Sequence, residues 1–153
     1  MLGNIVEQSL RALRYAYFTL SWALLSLVAL MGLSASCLTI FVVNGHSMEP
    51  TLSPGEYLLV NRLAYIKNPI KHGDIVVASF GNGSNDVRLV KRVTAVAGET
   101  AQMADGKQIR LGADQLFLEG DNSLASTDSR VYGPVTRNQI IGRVLWQTGQ
   151  TFL

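Results

Sequence analysis

Residues 15–43, YAYFTLSWALLSLVALMGLSASCLTIFVV, decide the architecture of this chain, because they contain no charged side chain. A helix that crosses a bilayer needs about 20 predominantly apolar residues, and serine and glycine are tolerated in such helices. The run therefore predicts a single N-terminal transmembrane helix, within an anchor unit at residues 1–43. Residues 44–153 remain for a folded extracytoplasmic body, which is long enough for one hydrophobic core.

Positive charges indicate which way the anchor points. Arg11 and Arg14 precede the apolar run, and the next Lys or Arg beyond it is Arg62. Since segments rich in Lys and Arg stay in the cytoplasm, we expect the N-terminus inside the cell. The body is then expected on the outer side of the cytoplasmic (inner) membrane, which the chain crosses once.

Three other interpretations of the apolar run fit less well. The small residues Ser-Ala-Ser at 34–36 resemble the cleavage site of a secretory signal peptide, and Cys37 is a candidate end of a lipoprotein signal. However, apolar residues continue from 38 to 43, and Ser34 stands where a lipoprotein signal has a bulky residue. A buried helix of a soluble domain is rarely so long or so uniformly apolar.

Composition excludes other classes of protein. The formal net charge of the 153 residues is +2, and the residues after Val43 carry eleven Lys or Arg and ten Asp or Glu. A basic patch of the kind that binds nucleic acid is therefore not expected. Cys37 is the only cysteine, so the body must hold together without an intramolecular disulfide. We expect neither a metal ion nor a cofactor.

The body has the pattern of a compact antiparallel β protein, with a sheet or barrel-like catalytic domain. Strands are predicted at residues 57–61, 74–80, 87–96, 100–103, 107–111, 115–119 and 140–147. Turn residues lie between them at 53–55, 68–69, 81–84, 104–106 and 133–134. The Ala-Asp-Gly turn at 104–106 predicts a hairpin. Residues 120–133 are polar and strand-poor, which is typical of a loop that carries function.

Lys91 lies in the middle of a predicted strand, in the segment RLVKRV at residues 88–93. Residues two apart share a strand face, so Leu89 and Val93 flank the lysine. Burial between them would disfavour the ammonium form, and the neighbouring Arg92 acts in the same direction, so the pKa of Lys91 would fall from about 10.4. A neutral lysine can serve as a general base. The strand alone also fits a lysine whose amine reaches the surface.

Ser47 lies in the segment GHSMEPTL at residues 45–52, directly after the apolar run. Gly45 permits close approach of the backbone, so the serine is expected at an exposed bend. A serine nucleophile needs a base, and Ser47 with Lys91 is the predicted pair. His46 is a weaker candidate, because adjacent residues of an extended chain point to opposite faces and a triad also needs an orienting carboxylate.

Four segments, in order behind the predicted span, resemble bacterial-type type I signal peptidases, the membrane-bound Ser-Lys endopeptidases that remove signal peptides from exported proteins. They are GHSMEPTL at 45–52, GEYLLVNR at 55–62, RLVKRV with the following Gly-Glu at 88–99, and GDN, STDSR and Tyr-Gly within 120–133. The resemblance covers nearly all of the body and the anchor. A lysine in place of a histidine base separates the chain from the endoplasmic-reticulum branch.

This resemblance implies a mostly β body against the outer face of the membrane, which cuts after small-x-small sequences such as Ala-x-Ala through an acyl-enzyme. Ser47 is then the nucleophile and Lys91 the general base, and the serine at the place of Ser126 orients the lysine amine. Four charged residues match positions of supporting ion pairs: Arg92, Asp121, Asp128 and Arg130. Gly45 replaces the oxyanion-hole serine of some members, so backbone N–H groups, including that of Ser47, must serve there.

The substrate is expected to lie extended beside the strand edge at residues 88–90 and to pair with its backbone. Leu89 and Val90 belong to this edge, and a small pocket near Met48 is expected to admit alanine. The expected partners are preproteins with signal peptides, membrane lipid and, transiently, the export translocon.

Other functions stay open from the residues alone. A specialised Ser-Lys maturation peptidase of a conjugation or pilin system usually carries paired cysteines in the body, where this chain has none. A self-cleaving repressor-type domain shares the dyad, but it has a DNA-binding N-terminus in place of a span. An inactive membrane-anchored β module of the export machinery would not need Ser47, Lys91 and Ser126.

Overall fold

The N-terminal part of the chain is one long helix. The structure, a computed structural model, describes residues 2–80 and 87–148, and the chain divides into two compact units after Cys37. The first unit is helix α1, Leu2–Cys37. Its stretch Leu13–Gly32 is long and apolar enough to cross a membrane, as the sequence predicts.

The second unit is built on an antiparallel sheet of seven strands with a separate two-stranded hairpin, in the orders β1-β2-β9-β3-β4-β7-β8 and β5-β6. The strands are β1 Leu38–Val42, β2 Tyr57–Asn61, β3 Ile75–Phe80, β4 Val87–Ala95, β5 Thr100–Gln102, β6 Gln108–Arg110, β7 Gln115–Glu119, β8 Val135–Thr136 and β9 Ile140–Gln147. A short helix α2, Ser129–Tyr132, lies between β7 and β8. The predicted mainly β class is confirmed.

One part of the expected anchor belongs to the body. The sequence predicts an anchor up to residue 43, but α1 ends at Cys37 and β1 pairs with β2 along its whole length. The burial alternates along β1, since Phe41 is half-buried whereas Ile40 is 67 % exposed. The boundary is wrong because β-branched and aromatic residues suit an edge strand as well as a membrane span. Overall hydrophobicity therefore does not distinguish the edge strand β1 from the end of a membrane span.

The other predicted strands are confirmed with small changes of bounds, as β2, β7 and β9 match and the rest are slightly shorter. The predicted hairpin joins β5 to β6, where the N–H of Met103 donates to the carbonyl of Lys107 at 2.8 Å. Strand β8 is absent from the prediction, because two residues carry no periodic signal. The turn expected at 81–84 lies outside the described residues.

The cluster of buried apolar side chains that bears on the site lies beneath the segment between β1 and β2. It contains Met48 and Leu52 together with residues of β2 and β3. Met48 is 1 % exposed and Leu52 is 0 % exposed. The segment that carries Ser47 is therefore packed against the sheet through the side chains of Met48 and Leu52.

Candidate active site

The backbone around Ser47 is held from two sides. The turn begins at Gly45, whose φ of +98° is a conformation that side chains rarely adopt. Beyond the serine, Met48 and Leu52 anchor the turn in the core, and the N–H of Leu52 donates to the carbonyl of Met48 at 2.9 Å. On the other side, the N–H of Asn122 donates to the carbonyl of Ser47 at 3.0 Å. The nucleophile candidate thus has a fixed backbone.

Lys91 reaches Ser47 from strand β4. Its side chain is buried, with 1 % of the residue exposed, and burial alternates along the strand through Lys91, Val93 and Ala95. The Nζ of Lys91 donates a hydrogen bond to the Oγ of Ser47 at 2.6 Å. When the amine is neutral, the same separation lets the hydroxyl donate to the amine instead.

Burial is the largest influence on the protonation of Lys91, and it lowers the pKa of the amine from its ordinary value of 10.5. Desolvation disfavours the charged form. The carboxylates of Asp128 and Asp121 act in the opposite direction, and the charge of Arg130 lowers the pKa further. Among the described residues, no carboxylate forms an ion pair with this amine. The site therefore favours the neutral amine more than water does.

Ser126 lies on the loop after β7, and its expected role of accepting a hydrogen bond from the amine of Lys91 stays a prediction. Its hydroxyl donates to Oδ2 of Asp128 at 2.5 Å, a strong charge-assisted bond. The same carboxylate, 0 % exposed, accepts from the N–H of Gly120 at 2.9 Å and from Arg130 Nε at 2.9 Å and Nη2 at 2.7 Å. Burial raises the pKa of Asp128, but these bonds outweigh it and lower the pKa overall.

Gly120 brings this loop against the turn that carries Ser47. A Cβ at this position would overlap the hydroxyl of Ser126 and the carbonyl oxygen of Ser47, so only glycine fits between them. Sequence analysis missed this contact and the role of Asn122, although both residues lie in a quoted motif. The contact depends on the packing of two segments that are far apart in the chain.

A second ion pair ties β4 to the same loop. Arg92 donates to Asp121 through Nε at 2.8 Å and Nη2 at 2.7 Å, and these bonds lower the pKa of Asp121. Arg92 also donates to the carbonyl of Gly73 at 3.0 Å and to Oγ1 of Thr51 at 3.4 Å. Gln147 of β9 donates to the carbonyl of Thr51 at 3.0 Å. No pattern in the sequence marks Gln147 as a neighbour of this turn.

His46 is adjacent to Ser47 in the chain but is bonded elsewhere. Its Nδ1 lies 3.0 Å from Oε1 of Glu49, and its side chain is 66 % exposed. The carboxylate that a histidine base needs is therefore present, but the ring is paired with it on the protein surface.

The first half of β4 has an open edge. Strand β3 pairs with β4 from Val87 to Arg92, whereas β7 pairs with β4 only from Arg92 onward. In the part of the chain that the structure describes, no strand pairs with the second edge of β4 before Arg92. Leu89 and Val90, both half-buried, lie on this stretch next to Lys91.

Asp128 and Asp121, the two carboxylates that act on the pKa of Lys91, are each paired with an arginine. Within residues 2–80 and 87–148, no group of three His, Cys, Asp or Glu side chains is arranged to hold a metal ion. The site offers a serine hydroxyl, a buried amine and a loop that is fixed by two ion pairs.

Comparison with known proteins gives this arrangement a family. Residues 16–112 and 103–148 match the family described as signal peptidase, peptidase S26. A signal peptidase I of Leptolyngbya laminosa is 29% identical over 149 residues, which cover 79% of this chain and 73% of that protein. A signal peptidase I of Bacillus caldolyticus is 32% identical over 140 residues, covering 68% and 75%. Mitochondrial inner membrane protease subunit 1 of Xenopus tropicalis is 34% identical over 110 residues, covering 69% and 65%.

The matched residues include the whole turn around Ser47, strand β4 and the loop between β7 and β8. The resemblance inferred from the four motifs is thereby confirmed. With a mainly β body behind one apolar helix, this chain belongs to the signal peptidase family, peptidase S26.

Proposed function

We propose that this protein is a membrane-bound serine endopeptidase that removes N-terminal signal peptides from exported preproteins, with Ser47 as nucleophile and Lys91 as general base. One observation carries the assignment of roles. The Nζ of Lys91 lies 2.6 Å from the Oγ of Ser47, and the lysine is 1 % exposed. A buried amine at that distance is both close enough and sufficiently desolvated to accept the serine proton.

The reaction proceeds in two halves. Neutral Lys91 takes the proton of Ser47 while Oγ attacks the carbonyl carbon of the scissile bond, and the carbonyl oxygen becomes an oxyanion. Lys91 then gives the proton to the leaving amine, the C–N bond breaks, and an ester to Ser47 remains. A water molecule, deprotonated by Lys91, attacks the ester carbon. The bond between that carbon and Oγ breaks, and Lys91 returns the proton to Oγ, which releases the new carboxyl end of the product and restores the serine hydroxyl.

Backbone N–H groups stabilise the oxyanion. In the described part of the chain, the N–H of Ser47 has no hydrogen-bond acceptor and is available for this task. Gly45 supplies no side-chain donor, but its positive φ gives the turn the shape that presents this N–H group.

Ser126 orients the lysine amine through its oxygen. Its proton goes to Asp128, which leaves the two lone pairs of the hydroxyl oxygen to accept from Nζ. The pair of Asp128 with Arg130 and the pair of Arg92 with Asp121 hold the loop and β4 in register around the dyad.

The substrate adds a strand at the open edge of β4. The N–H of Val93 donates to the carbonyl of Asp74 on the β3 side, and the direction of backbone groups alternates along a strand. The N–H and C=O of Val90 and Arg88 therefore point to the open edge. An extended substrate that pairs there brings its scissile carbonyl beside Ser47. The tight packing of Met48 beneath the turn favours small side chains, in keeping with cleavage after small-x-small sequences.

The protein is anchored in the cytoplasmic (inner) membrane with its N-terminus in the cytoplasm. Arg11 and Arg14 support this orientation, because they lie at the start of the apolar segment and the positive-inside rule retains such residues. The body then meets preproteins on the outer side as they leave the translocon, with membrane lipid as its other neighbour.

The decisive experiment is cleavage of a labelled preprotein with an Ala-x-Ala site by the purified full chain in detergent. Ser47→Ala and Lys91→Ala should each lower kcat by about 10³-fold or more, with thermal unfolding showing that both variants are folded. His46→Ala is the matched control and should retain most activity. Near-normal turnover by Lys91→Ala would remove the proposed base, and a loss in His46→Ala equal to that of Ser47→Ala would reassign it to the histidine.

A further inference from the structure

A basic cavity lies at one end of the sheet, outside the active site. It has a volume of about 340 Å³ and is found where β1 and β4 begin and β2 and β3 end. Its wall includes Thr39, Phe41, Arg62, Arg88, Asn138 and Gln139. A neighbouring hollow of about 400 Å³ shares Arg62 and Asn138 and adds Arg137.

Among the described residues, nothing compensates the positive charge of this cavity. Arg62 and Arg88 are both exposed, and neither forms an ion pair within the described residues. The described lining contains no acidic side chain. Two guanidinium groups in one cavity wall offer hydrogen-bond donors and positive charge to an anion, and the planar fork of arginine suits phosphate oxygens.

The cavity lies close along the chain to the end of helix α1, and this position indicates the source of the anion. Helix α1 ends at Cys37, and Thr39 in the cavity wall is only two residues further on. Two extended residues span at most about 7 Å of chain. The apolar stretch of α1 ends at Gly32, roughly 7 Å further back along the helix. The headgroup layer of a bilayer is itself about 5–8 Å deep, so a residue this close along the chain to the end of a membrane span is within reach of lipid headgroups.

We propose that this cavity binds the headgroup of an anionic phospholipid, with the guanidinium groups of Arg62 and Arg88 on its phosphodiester. The chemistry fits, because basic pockets close to a membrane surface attract anionic headgroups. Arg88 also lies on β4, two residues before Val90 and three before Lys91. A lipid bound there holds the substrate-pairing strand at the membrane surface, where the cleavage site of a membrane-inserted signal peptide emerges.

The test is a binding titration of the purified full chain in uncharged detergent micelles, with short-chain phosphatidylglycerol as the probe and short-chain phosphatidylcholine as the neutral comparison. The wild type should bind phosphatidylglycerol more tightly. Arg62→Gln/Arg88→Gln should weaken that binding by about 25-fold, since each basic group near an anionic lipid surface contributes roughly a factor of five. Binding is measured without cleavage, so its outcome is independent of the proposed peptidase activity.

The matched control is Lys107→Gln/Arg110→Gln, which removes two exposed charges from the β5–β6 hairpin and should bind like the wild type. Arg11 and Arg14 are unchanged in both variants, so their attraction for anionic lipid cancels in the comparison of the two variants.

If Arg62→Gln/Arg88→Gln does not fold, Arg62→Lys/Arg88→Lys should keep the charge and lose only a few-fold in affinity. Equal affinity of wild type and the cavity variant, or equal affinity for both lipids, would overturn the proposal. Equally tight binding of inorganic phosphate would overturn it too, by showing a site for a soluble anion.

Discussion

Lys91 is the residue at which this fold departs most from ordinary packing. It is among the largest fully buried side chains of the described residues, although lysine is almost never fully buried in proteins. Its amine is bonded to Ser47 and lies within the influence of Asp128 and Asp121. A position of this kind destabilises the charged form, and such perturbed groups are concentrated at functional sites.

The pH dependence of cleavage tests this burial directly. Because burial lowers the pKa of Lys91 from 10.5, the neutral base is populated at lower pH than in a free lysine. We expect kcat/KM to rise with pH through the folded-state pKa of Lys91, with an acid limb below 10.5. Lys91→Arg should be inactive at every pH, since a guanidinium stays charged. An acid limb at about 10.4 would show a solvated lysine.

Ser126→Ala tests the orienting role of the loop serine. Removing its hydroxyl takes away a donor to Asp128 and the proposed acceptor for Nζ of Lys91, so the proposed base would lose its direction rather than its charge. We expect kcat to fall on the order of 10–1,000-fold with a smaller rise in KM, measured by steady-state kinetics. Ser123→Ala, in an exposed part of the same loop, is the control. A change confined to KM would point to substrate binding instead.

Gly120→Ala tests the close approach between loop and turn. The added methyl group meets the backbone oxygen of Ser47, which cannot rotate away. We expect a loss of about 1–3 kcal/mol in unfolding free energy and at least about 100-fold in kcat/KM, because small displacements of reacting groups are costly. Gly112→Ala is the control, since its methyl meets only the flexible end of Gln115 at 3.3 Å. Equal behaviour of the two variants would contradict the proposed contact.

At the scale of elements, β1 and the loop after β7 decide the geometry of the site. Strand β1 leads the chain out of α1 and into the turn of Ser47, while the loop carries Ser126 and two carboxylates. The loop has little regular structure of its own. It is ordered by hydrogen bonds to Asp128 and by the ion pair of Asp121 with β4.

Substitutions in β1 test whether it belongs to the body. Phe41 packs against the cluster beneath Ser47, whereas Ile40 is 67 % exposed on the other face. We expect Phe41→Ala to cost about 2–3 kcal/mol of unfolding free energy and Ile40→Ala less than about 1 kcal/mol, measured by denaturant unfolding in detergent. If residues 38–42 were instead part of a membrane span, the two variants would behave alike.

At the scale of the whole molecule, the chain combines an apolar helix that could cross a membrane with a sheet that carries the candidate active site. Strand β9, the last strand within the described residues, is inserted between β2 and β3. It thereby joins the β1–β2 pair, which leads to Ser47, to the β3–β4 pair, which carries Lys91. Because β9 connects these two pairs of strands, the approach of Lys91 to Ser47 depends on the pairing of β9 with both β2 and β3.

Orientation across the membrane is tested with spheroplasts. Arg11 and Arg14 are expected to keep the N-terminus inside, so protease added outside should digest the body while the N-terminal segment survives. Arg11→Glu/Arg14→Glu should weaken this preference. A body that is protected in intact spheroplasts and digested only after lysis would reverse the assignment.

The sequence by itself determined the apolar helix, most of the strands, the family and the Ser47–Lys91 pair as a hypothesis. These features are local, because the length of an apolar run, a twofold alternation and a motif are all read within a few residues. Only the tertiary structure decided that residues 38–42 form a strand and that the hydroxyl of Ser126 donates to Asp128. It also decided that Gly120 lies against Ser47, and that two atoms from residues 44 positions apart come within 2.6 Å. The physical reason is that these features arise from strand pairing and packing between distant segments. The free energy of such contacts depends on which partner is present, and a local pattern does not specify that partner.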